Sequence, residues 1–220
     1  MIEVHHLNNS RSQRILWLLE ELKAPYEIIN YKRDLETNLA PEKLKEVHIL
    51  GKSPVIVDNG KVIIESAAIT TYIVDQYAPS DFTPNQEDED YYKYLELMHY
   101  AEGSAMLPLL LLLYSSSLGE NAAPLMDRIF SEIHLHIGYL SKCLGDNEFF
   151  FRNKFSGLDT MLSFVLEAAK ISDSLKDYSN LIDALDRYQS RPAYKKALEK
   201  GGEYIFCLLY TSPSPRDNKA

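Results

Sequence analysis

The sequence predicts a small α/β domain followed by a larger all-helical domain. Alternating strand and helix signals fill the first third of the chain, and only helical patterns follow from Gln86 to Lys200. A length of 220 residues with a hydrophobic share of 45% is enough for two packed units. We expect the first domain over residues 1–78, a linker over 79–85 and the helical domain over 86–206.

The first domain begins with a strand–helix–strand pattern. Ile2–Leu7 is a strand candidate, Ser10–Lys23 carries an apolar face at helical spacing, and Tyr26–Tyr31 is typical of a second strand. Ala24-Pro25 ends the helix. A βαβ unit of this length predicts that the two strands are parallel and adjacent. A short helix with proline in its first turn is predicted over Pro41–Val47.

Two β-branched runs around a tight turn come next. Val55–Val57 and Val62–Ile64 flank Asp58-Asn59-Gly60, which is a strong hairpin signal. The Ser53-Pro54 bond ahead of the first run is a candidate cis peptide. Apolar residues at helical spacing follow Ser66. The element order β-α-β-α-β-β-α, with proline ahead of the third strand, is that of the thioredoxin-like fold.

The predicted helix start at Ser66 is a candidate anion site. Free backbone N–H groups and the positive end of the helix dipole attract a carboxylate there. Together with the hairpin, this start predicts a small-molecule site. The alternative is an ordinary hairpin followed by a capped helix with no ligand.

The second domain reads as a series of helices. Thr83-Pro84 predicts the start of the first one, with the acidic cluster Glu87–Asp90 in its first turn. Ser156-Gly157-Leu158-Asp159 is a capping box and therefore a folding signal. The Ser- and Pro-rich segment 207–220 is predicted to be a disordered, non-native tail. The predicted helices are Gln86–Ser115, Ala122–Leu144, Ser156–Ile171, Tyr178–Gln189 and Pro192–Lys200.

Composition argues against several classes of protein. A net charge of −9 disfavours nucleic acid or an anionic membrane as the main partner. The longest apolar run, Ala105–Leu113, is interrupted by Pro108 and is too short to span a bilayer. Cys143 and Cys207 cannot form a disulfide framework, so a cytoplasmic protein is predicted, with peripheral membrane association left open. No metal is expected, since the histidines form no recognisable metal site.

Five short segments carry a family resemblance by their order and spacing. They are Leu7–Arg14 (Leu-Asn-Asn-Ser-Arg-Ser-Gln-Arg), Gly51–Val55 (Gly-Lys-Ser-Pro-Val), Glu65-Ser66, Tyr100–Ser104 (Tyr-Ala-Glu-Gly-Ser) and Ser156–Asp159 (Ser-Gly-Leu-Asp). Together they resemble the cytosolic glutathione transferase family over residues 1–206, most of all its fungal and bacterial GTT-type branch. The resemblance implies a homodimeric enzyme that joins glutathione to a small apolar electrophile.

The resemblance also implies how glutathione would be held. Ser66 and the helix start would bind the γ-glutamyl carboxylate, Glu65 the amine, and Lys52 the glycyl carboxylate. Val55, after the Ser53-Pro54 peptide, would pair its main chain with the cysteinyl part, as an added strand does.

The implied chemistry is activation of the glutathione thiol. Only the thiolate is a good nucleophile, and a hydroxyl or amide donor at a helix start stabilises it. Ser10 is the predicted donor, with Asn9 and Arg11 as alternatives; a plain helix N-cap is the other interpretation of Ser10. Leu7–Arg14 contains neither tyrosine nor cysteine, so the tyrosine-type and cysteine-type subclasses fit poorly.

The second substrate of the family binds between the domains. Tyr100, Ser104 and Tyr114 are candidates for that pocket, although aromatic residues at helical spacing more often belong to a core. Two alternatives to conjugation remain open: glutathione-dependent peroxide reduction, and a non-catalytic glutathione-binding or regulatory protein. Disulfide exchange of the thioredoxin type is disfavoured because the first domain has no cysteine.

Overall fold

The computed structural model describes residues 1–79 and 82–208, and it begins with a four-stranded mixed sheet. The strand order is β2-β1-β3-β4, with β1 and β2 parallel and the other two pairs antiparallel. The parallel, adjacent pair predicted from the βαβ pattern is therefore confirmed. The strands are β1 (Ile2–Leu7), β2 (Tyr26–Tyr31), β3 (Val55–Asp58) and β4 (Lys61–Ile64).

Two helices and one 3₁₀ turn complete this unit. Helix α1 spans Ser12–Leu22, α2 spans Ser66–Tyr77, and the 3₁₀ turn spans Glu42–Glu46. Helix α1 begins two residues later than predicted, because Ser10 accepts the N–H of Gln13 with its carbonyl and lies in the turn ahead of the helix.

The hairpin between β3 and β4 matches its sequence signal. Asn59 and Gly60 have φ values of 49° and 76°, the left-handed pair that a two-residue hairpin turn requires. The Ser53-Pro54 peptide is cis, as predicted.

The rest of the described chain is helical. A π-helical turn over Ala101–Ala105 joins α3 to α4, and a 3₁₀ segment over Ser116–Ala122 joins α4 to α5. Cys207 and Leu208, placed in the tail by the sequence, belong to the short last helix, while 209–220 lie outside the described residues. The helices are α3 (Tyr91–Tyr100), α4 (Met106–Ser115), α5 (Ala123–Leu144), α6 (Gly157–Ile171), α7 (Ser179–Ser190), α8 (Pro192–Gly201) and α9 (Ile205–Leu208).

The predicted start of the first of these helices was wrong. Helix α3 begins at Tyr91, beyond the acidic cluster that was expected in its first turn. Arg152, from the loop before α6, pairs with Asp88 at 2.8 Å and with Asp90 at 2.7 Å. The cluster therefore lies in turns ahead of the helix and is partly neutralised by a distant arginine.

The capping box at the start of α6 is confirmed. The Ser156 hydroxyl accepts the N–H of Leu158 at 3.3 Å, and Asp159 accepts the N–H of Ser156 at 2.8 Å. Asp159 is fully buried and also accepts the hydroxyl of Tyr188. Burial outweighs these hydrogen bonds and raises the pKa of Asp159 to about 6.

The two units share one hydrophobic core, and α1 lies at its centre. Trp17 packs against Tyr188 and Tyr194, which belong to α7 and α8. Glu20 of α1 meets Lys196 of α8 at 2.6 Å. Burial would raise the pKa of Glu20, but hydrogen bonds from the α8 lysines lower it to about 2. Helix α1 is thus fixed to α8 as well as to the sheet.

One helical stretch, Tyr91–Leu144, is long and apolar enough to cross a membrane by length and composition alone, with a mean hydropathy of 1.2 over its most apolar window. The π-helical turn and the 3₁₀ segment divide it into α3, α4 and α5. Gly119, at φ 54° and ψ −131°, breaks the helical path. About 33% of the residues in that window are buried.

Candidate functional site

A cleft of about 230 Å³ lies where the sheet unit meets the helical unit. Four parts of the chain line it: the entry to α1, the segment ahead of β3, the start of α2 and the π-helical turn. It combines three cationic or ionisable nitrogen side chains with two carboxylates. These are Arg11, His48 and Lys52, and Glu65 and Glu102.

The start of α2 forms one wall of the cleft. Ser66 is its first residue and is 4% exposed. Glu65 precedes it with φ 68° and ψ 122°, a conformation that costs a non-glycine residue about 1–3 kcal/mol and is concentrated at ligand sites. The N–H groups of the first helical turn are directed towards the cleft end of α2, so this wall can hold a carboxylate.

The segment ahead of β3 forms a second wall. Lys52 is exposed, while Ser53 and Pro54 lie deeper in the lining. The Ser53 hydroxyl donates to the carbonyl of His5 at 2.9 Å, which ties this segment to β1. An ammonium group at the rim and a fixed main chain below it suit an extended ligand with a terminal carboxylate.

Val55 does not fit the role expected for it. It is fully buried, lies outside the lining of the cleft, and is in register with His5 on one side and Ile64 on the other. Because β3 is an internal strand, Val55 has no open sheet edge to which a ligand could add. The preceding residues, Ser53 and Pro54, occupy the position facing the cleft.

Arg11 and the π-helical turn form the third wall. Arg11 Nε donates to Glu102 Oε2 at 2.7 Å, and Arg14 Nη2 donates to Glu102 Oε1 at 2.6 Å. The side chain of Arg14 is 1% exposed, whereas those of Arg11 and Glu102 are 26% and 25% exposed. Burial would raise the pKa of Glu102, but the charges of Arg14 and Arg11 outweigh it and lower the pKa.

Two of the three predicted thiol-binding residues point elsewhere. Ser10 is 5% exposed, and its hydroxyl oxygen lies 2.7 Å from that of Ser12. Asn9 accepts the N–H of Ile205 with its side-chain oxygen at 2.6 Å. Among the three candidates, Arg11 is the one that lines the cleft. The Ser10 hydroxyl is turned inward towards Ser12, and over the described residues no side-chain hydrogen bond caps the start of α1.

The candidates for the second pocket are separated in space. Tyr100 is half-buried and its hydroxyl lies 2.5 Å from Nδ1 of His136 on α5, so it faces the bundle and not the cleft. Ser104 is half-buried on the π-helical turn, and Tyr114 is 66% exposed on α4. None of the three is part of the cleft lining.

Sequence reasoning missed Glu102 and His48. Glu102 carried a usable signal, since it is a single carboxylate followed by glycine inside a long apolar helical pattern. His48 carried none, because it lies in a loop after the 3₁₀ turn and only the fold brings it to the cleft. Over the described ranges, no cluster of three or more His, Cys, Asp or Glu could hold a metal ion.

Known proteins are similar to this chain over 91% of its length. The family model for the glutathione S-transferase N-terminal domain matches residues 1–75. Glutathione S-transferase 3 of Schizosaccharomyces pombe is 38% identical over 216 residues, covering 91% of this chain and 88% of that protein. Glutathione S-transferase 1 of Saccharomyces cerevisiae is 28% identical and covers 91% and 95%.

Solved structures show the same fold. A glutathione S-transferase from Actinobacillus pleuropneumoniae has a TM-score of 0.84 and 33% identity, covering 94% of this chain and 95% of that one. A sphingomonad glutathione S-transferase, solved in complex with glutathione, has a TM-score of 0.74 at 24% identity and covers 91% and 98%. The first domain of this chain is thus of the thioredoxin-like type, and the second domain is built from helices.

Proposed function

This chain belongs to the glutathione S-transferase family, and we propose that it binds glutathione in the cleft at the start of α2 and activates the thiol for attack on an apolar electrophile. The observation that supports this most is the strained Glu65-Ser66 helix start facing a cleft that also contains Lys52. Glutathione has a carboxylate at each end. A helix start and an ammonium group in one cleft match that charge pattern.

The proposed contacts follow from the chemistry of each wall. Ser66 and the N–H groups of α2 hold the γ-glutamyl carboxylate, and the exposed carboxylate of Glu65 pairs with the amine. Lys52 faces the glycyl carboxylate. Ser53 and Pro54 lie beneath the cysteinyl part, in the place first assigned to Val55. A sphingomonad relative of the same fold was solved with glutathione bound, which agrees with a ligand of this kind.

Arg11 is the residue that we propose to stabilise the thiolate. Its bond to Glu102 uses Nε, and a guanidinium has further N–H donors that could reach a ligand in the cleft that Arg11 lines. A fixed cation lowers the pKa of a thiol by favouring its charged form. The thiol proton leaves to solvent, and the thiolate sulfur then bonds to the electrophilic carbon as the bond from that carbon to its leaving group breaks, or as a π-bond at that carbon opens; the departing electron pair ends on the leaving group or is protonated from solvent.

An apolar stripe on α4 is the proposed electrophile surface. Leu107, Leu111 and Tyr114 recur at helical spacing along α4 and are 53%, 46% and 66% exposed, with Ser104 on the π-helical turn just ahead of them. The exposure of these side chains on one helix supports a surface for an apolar substrate. Because the reaction consumes reduced glutathione, we propose a cytoplasmic location, where thiols are kept reduced.

Replacing Ser66 by alanine should weaken glutathione binding roughly 10- to 100-fold, because a hydrogen bond to a carboxylate is worth about 1.5–3 kcal/mol. Isothermal titration of the purified protein with glutathione measures this change. Ser190→Ala is the control, since it removes an exposed hydroxyl at the end of α7, outside the cleft. An affinity of Ser66→Ala equal to that of the control would contradict the carboxylate site.

We also propose that the protein is a homodimer. An apolar groove between α2 and α3, lined in part by Ala68, Leu95 and Met98, is the surface that a second copy would cover. Light scattering should give twice the mass of one chain for the wild type, and a monomer for Ala68→Glu. Ala123→Glu, an exposed site at the start of α5, should remain dimeric. A monomeric wild type would refute the proposal.

A further inference from the structure

A buried chain of hydrogen-bonded polar side chains runs behind Arg11, the residue that we propose to bind the thiol. It begins at Ser10, passes through Ser12 and His6, and ends on the carbonyl of Gly201 at the end of α8. The three side chains belong to residues that are 5%, 0% and 2% exposed. None of them lines the cleft, and the proposed function gives them no role.

The direction of the hydrogen bonds in this chain can be derived from its last member. His6 Nε2 lies 3.0 Å from the Gly201 oxygen, and a carbonyl oxygen only accepts, so Nε2 carries the ring proton. In the neutral ring Nδ1 then accepts, and Ser12, at 2.8 Å, donates its single hydroxyl hydrogen to it. A longer contact of 3.4 Å from Ser12 to the carbonyl of Leu7 is secondary.

The direction in which the Ser10 hydroxyl donates follows from that of Ser12. Since the hydrogen of Ser12 is used on His6, the 2.7 Å contact between the two hydroxyls is a donation from Ser10 to Ser12. The Ser10 oxygen in turn accepts the N–H of Ser12 at 3.2 Å. The single hydroxyl hydrogen of Ser10 is therefore directed into the protein and away from the cleft.

We infer that His6 is a positioning residue: by donating to the Gly201 carbonyl and accepting from Ser12, it sets the direction of a hydrogen-bond chain that holds the entry to α1, and with it Arg11, against the end of α8. The inference rests on the proposed function, because it concerns the residue that we place at the thiol. It also gives α8 a part in the geometry of the proposed active site.

Two further features support a fixed chain. A Cβ at Gly201 would lie 3.2 Å from His6 Nε2 and 2.7 Å from the side-chain oxygen of Gln13, so the helix end approaches this closely only because residue 201 is glycine. Burial lowers the pKa of His6 to about 4, although the bond to Gly201 opposes this. The ring is therefore neutral at pH 7, and the chain keeps one direction.

Substitutions at His6 separate a positioning role from a packing role. An asparagine oxygen can replace Nδ1 as the acceptor for Ser12, whereas phenylalanine fills the space but accepts nothing. We expect His6→Phe to lower kcat about tenfold with KM for glutathione within about twofold, because both carboxylates are held elsewhere and only the alignment at sulfur is lost. His6→Asn should retain kcat within about threefold of the wild type.

The neighbouring histidine provides the control. His5 is 5% exposed on the same strand and bonds the hydroxyl of Tyr31 at 2.9 Å, outside this chain. His5→Phe should leave kcat and KM within about twofold. Full kcat in His6→Phe, or a lower kcat in His6→Asn than in His6→Phe, would show that the site needs apolar packing and would overturn the inference.

Nitrogen-15 NMR of labelled histidine tests the chain without any substitution. At pH 7 the wild type should show His6 as the neutral tautomer protonated at Nε2. A ring protonated at Nδ1 or at both nitrogens, in a protein that binds glutathione, would overturn this inference alone. A wild type that does not bind glutathione would instead overturn the proposed function, and the positioning role with it.

Discussion

Replacing Arg11 by alanine should lower kcat/KM for glutathione conjugation about 100-fold, the cost of losing one preorganised donor at a developing or bound anion. The guanidinium is held by Glu102 through Nε, and Arg11 lines the cleft. With that charge removed, the pKa of the bound thiol should rise towards the value of about 8.5 typical of a free cysteine thiol. The ultraviolet absorbance of the bound thiolate, followed against pH, measures the shift directly.

A substitution of the adjacent Ser10 distinguishes the two candidate thiolate donors, Ser10 and Arg11. Ser10→Ala removes the hydroxyl that the sequence predicted as the thiolate donor, but the structure shows that hydroxyl bonded to Ser12. We expect Ser10→Ala to lower kcat/KM about tenfold, as His6→Phe lowers kcat, because it removes the first member of the chain behind Arg11, and to leave the thiol pKa close to that of the wild type. A large rise in the thiol pKa for Ser10→Ala, with none for Arg11→Ala, would assign the donor to Ser10 and contradict the role of Arg11.

The fold was predictable because its signals are local and repeated. Helical spacing along Ser12–Leu22, the Asn59-Gly60 turn and the capping box at Ser156 are each read from a few neighbouring residues, and all three elements are present. The start of α3 was not predictable in this way. Arg152 lies more than 60 positions after Asp88 and Asp90 in the sequence and binds both of them. The sequence had assigned these acidic residues to the first turn of the helix.

The walls of the site were predictable only where main chain defines them. The helix start at Ser66 and the proline at position 54 follow from secondary structure, and both residues line the cleft. Which of Asn9, Ser10 and Arg11 faces the ligand depends on long-range partners, which are the main chain of α8 and α9 and the Glu102 side chain of the π-helical turn. Those partners lie about 90 to 200 positions away, and no local pattern reveals them.

Replacing Glu102 by glutamine should lower the free energy of unfolding by about 3–5 kcal/mol, because it leaves a buried charge without its counter-charge. The side chain of Arg14 is 1% exposed, and its ion-pair partner among the described residues is Glu102, at 2.6 Å. Its other contacts, the carbonyl of Met161 and the ring of Phe164, are not ionic. Urea unfolding of the two proteins at pH 7 measures the difference.

A double variant tests whether the loss comes from the unpaired charge. Removing both charges together, as Arg14→Met with Glu102→Gln, should recover most of the stability lost in Glu102→Gln, since a buried pair replaced by packed uncharged groups is often nearly neutral. A double variant that is as unstable as the sum of the single ones would show that the two side chains act independently.

The stability contributed by Glu102 should also depend on pH in a defined direction. Arg14 and Arg11 overcome the effect of burial and hold its pKa below the ordinary value of 4.5. A carboxyl with a lowered pKa in the folded state stabilises the protein fully above the unfolded pKa and loses that contribution as the pH falls through the folded one. The gap in unfolding free energy between the wild type and Glu102→Gln should therefore be constant from pH 8 to about pH 5 and shrink below that. A gap that widened in acid would mean that Glu102 is protonated in the native state, and the Arg11–Glu102–Arg14 ion pairs could not then position the donor at the thiol.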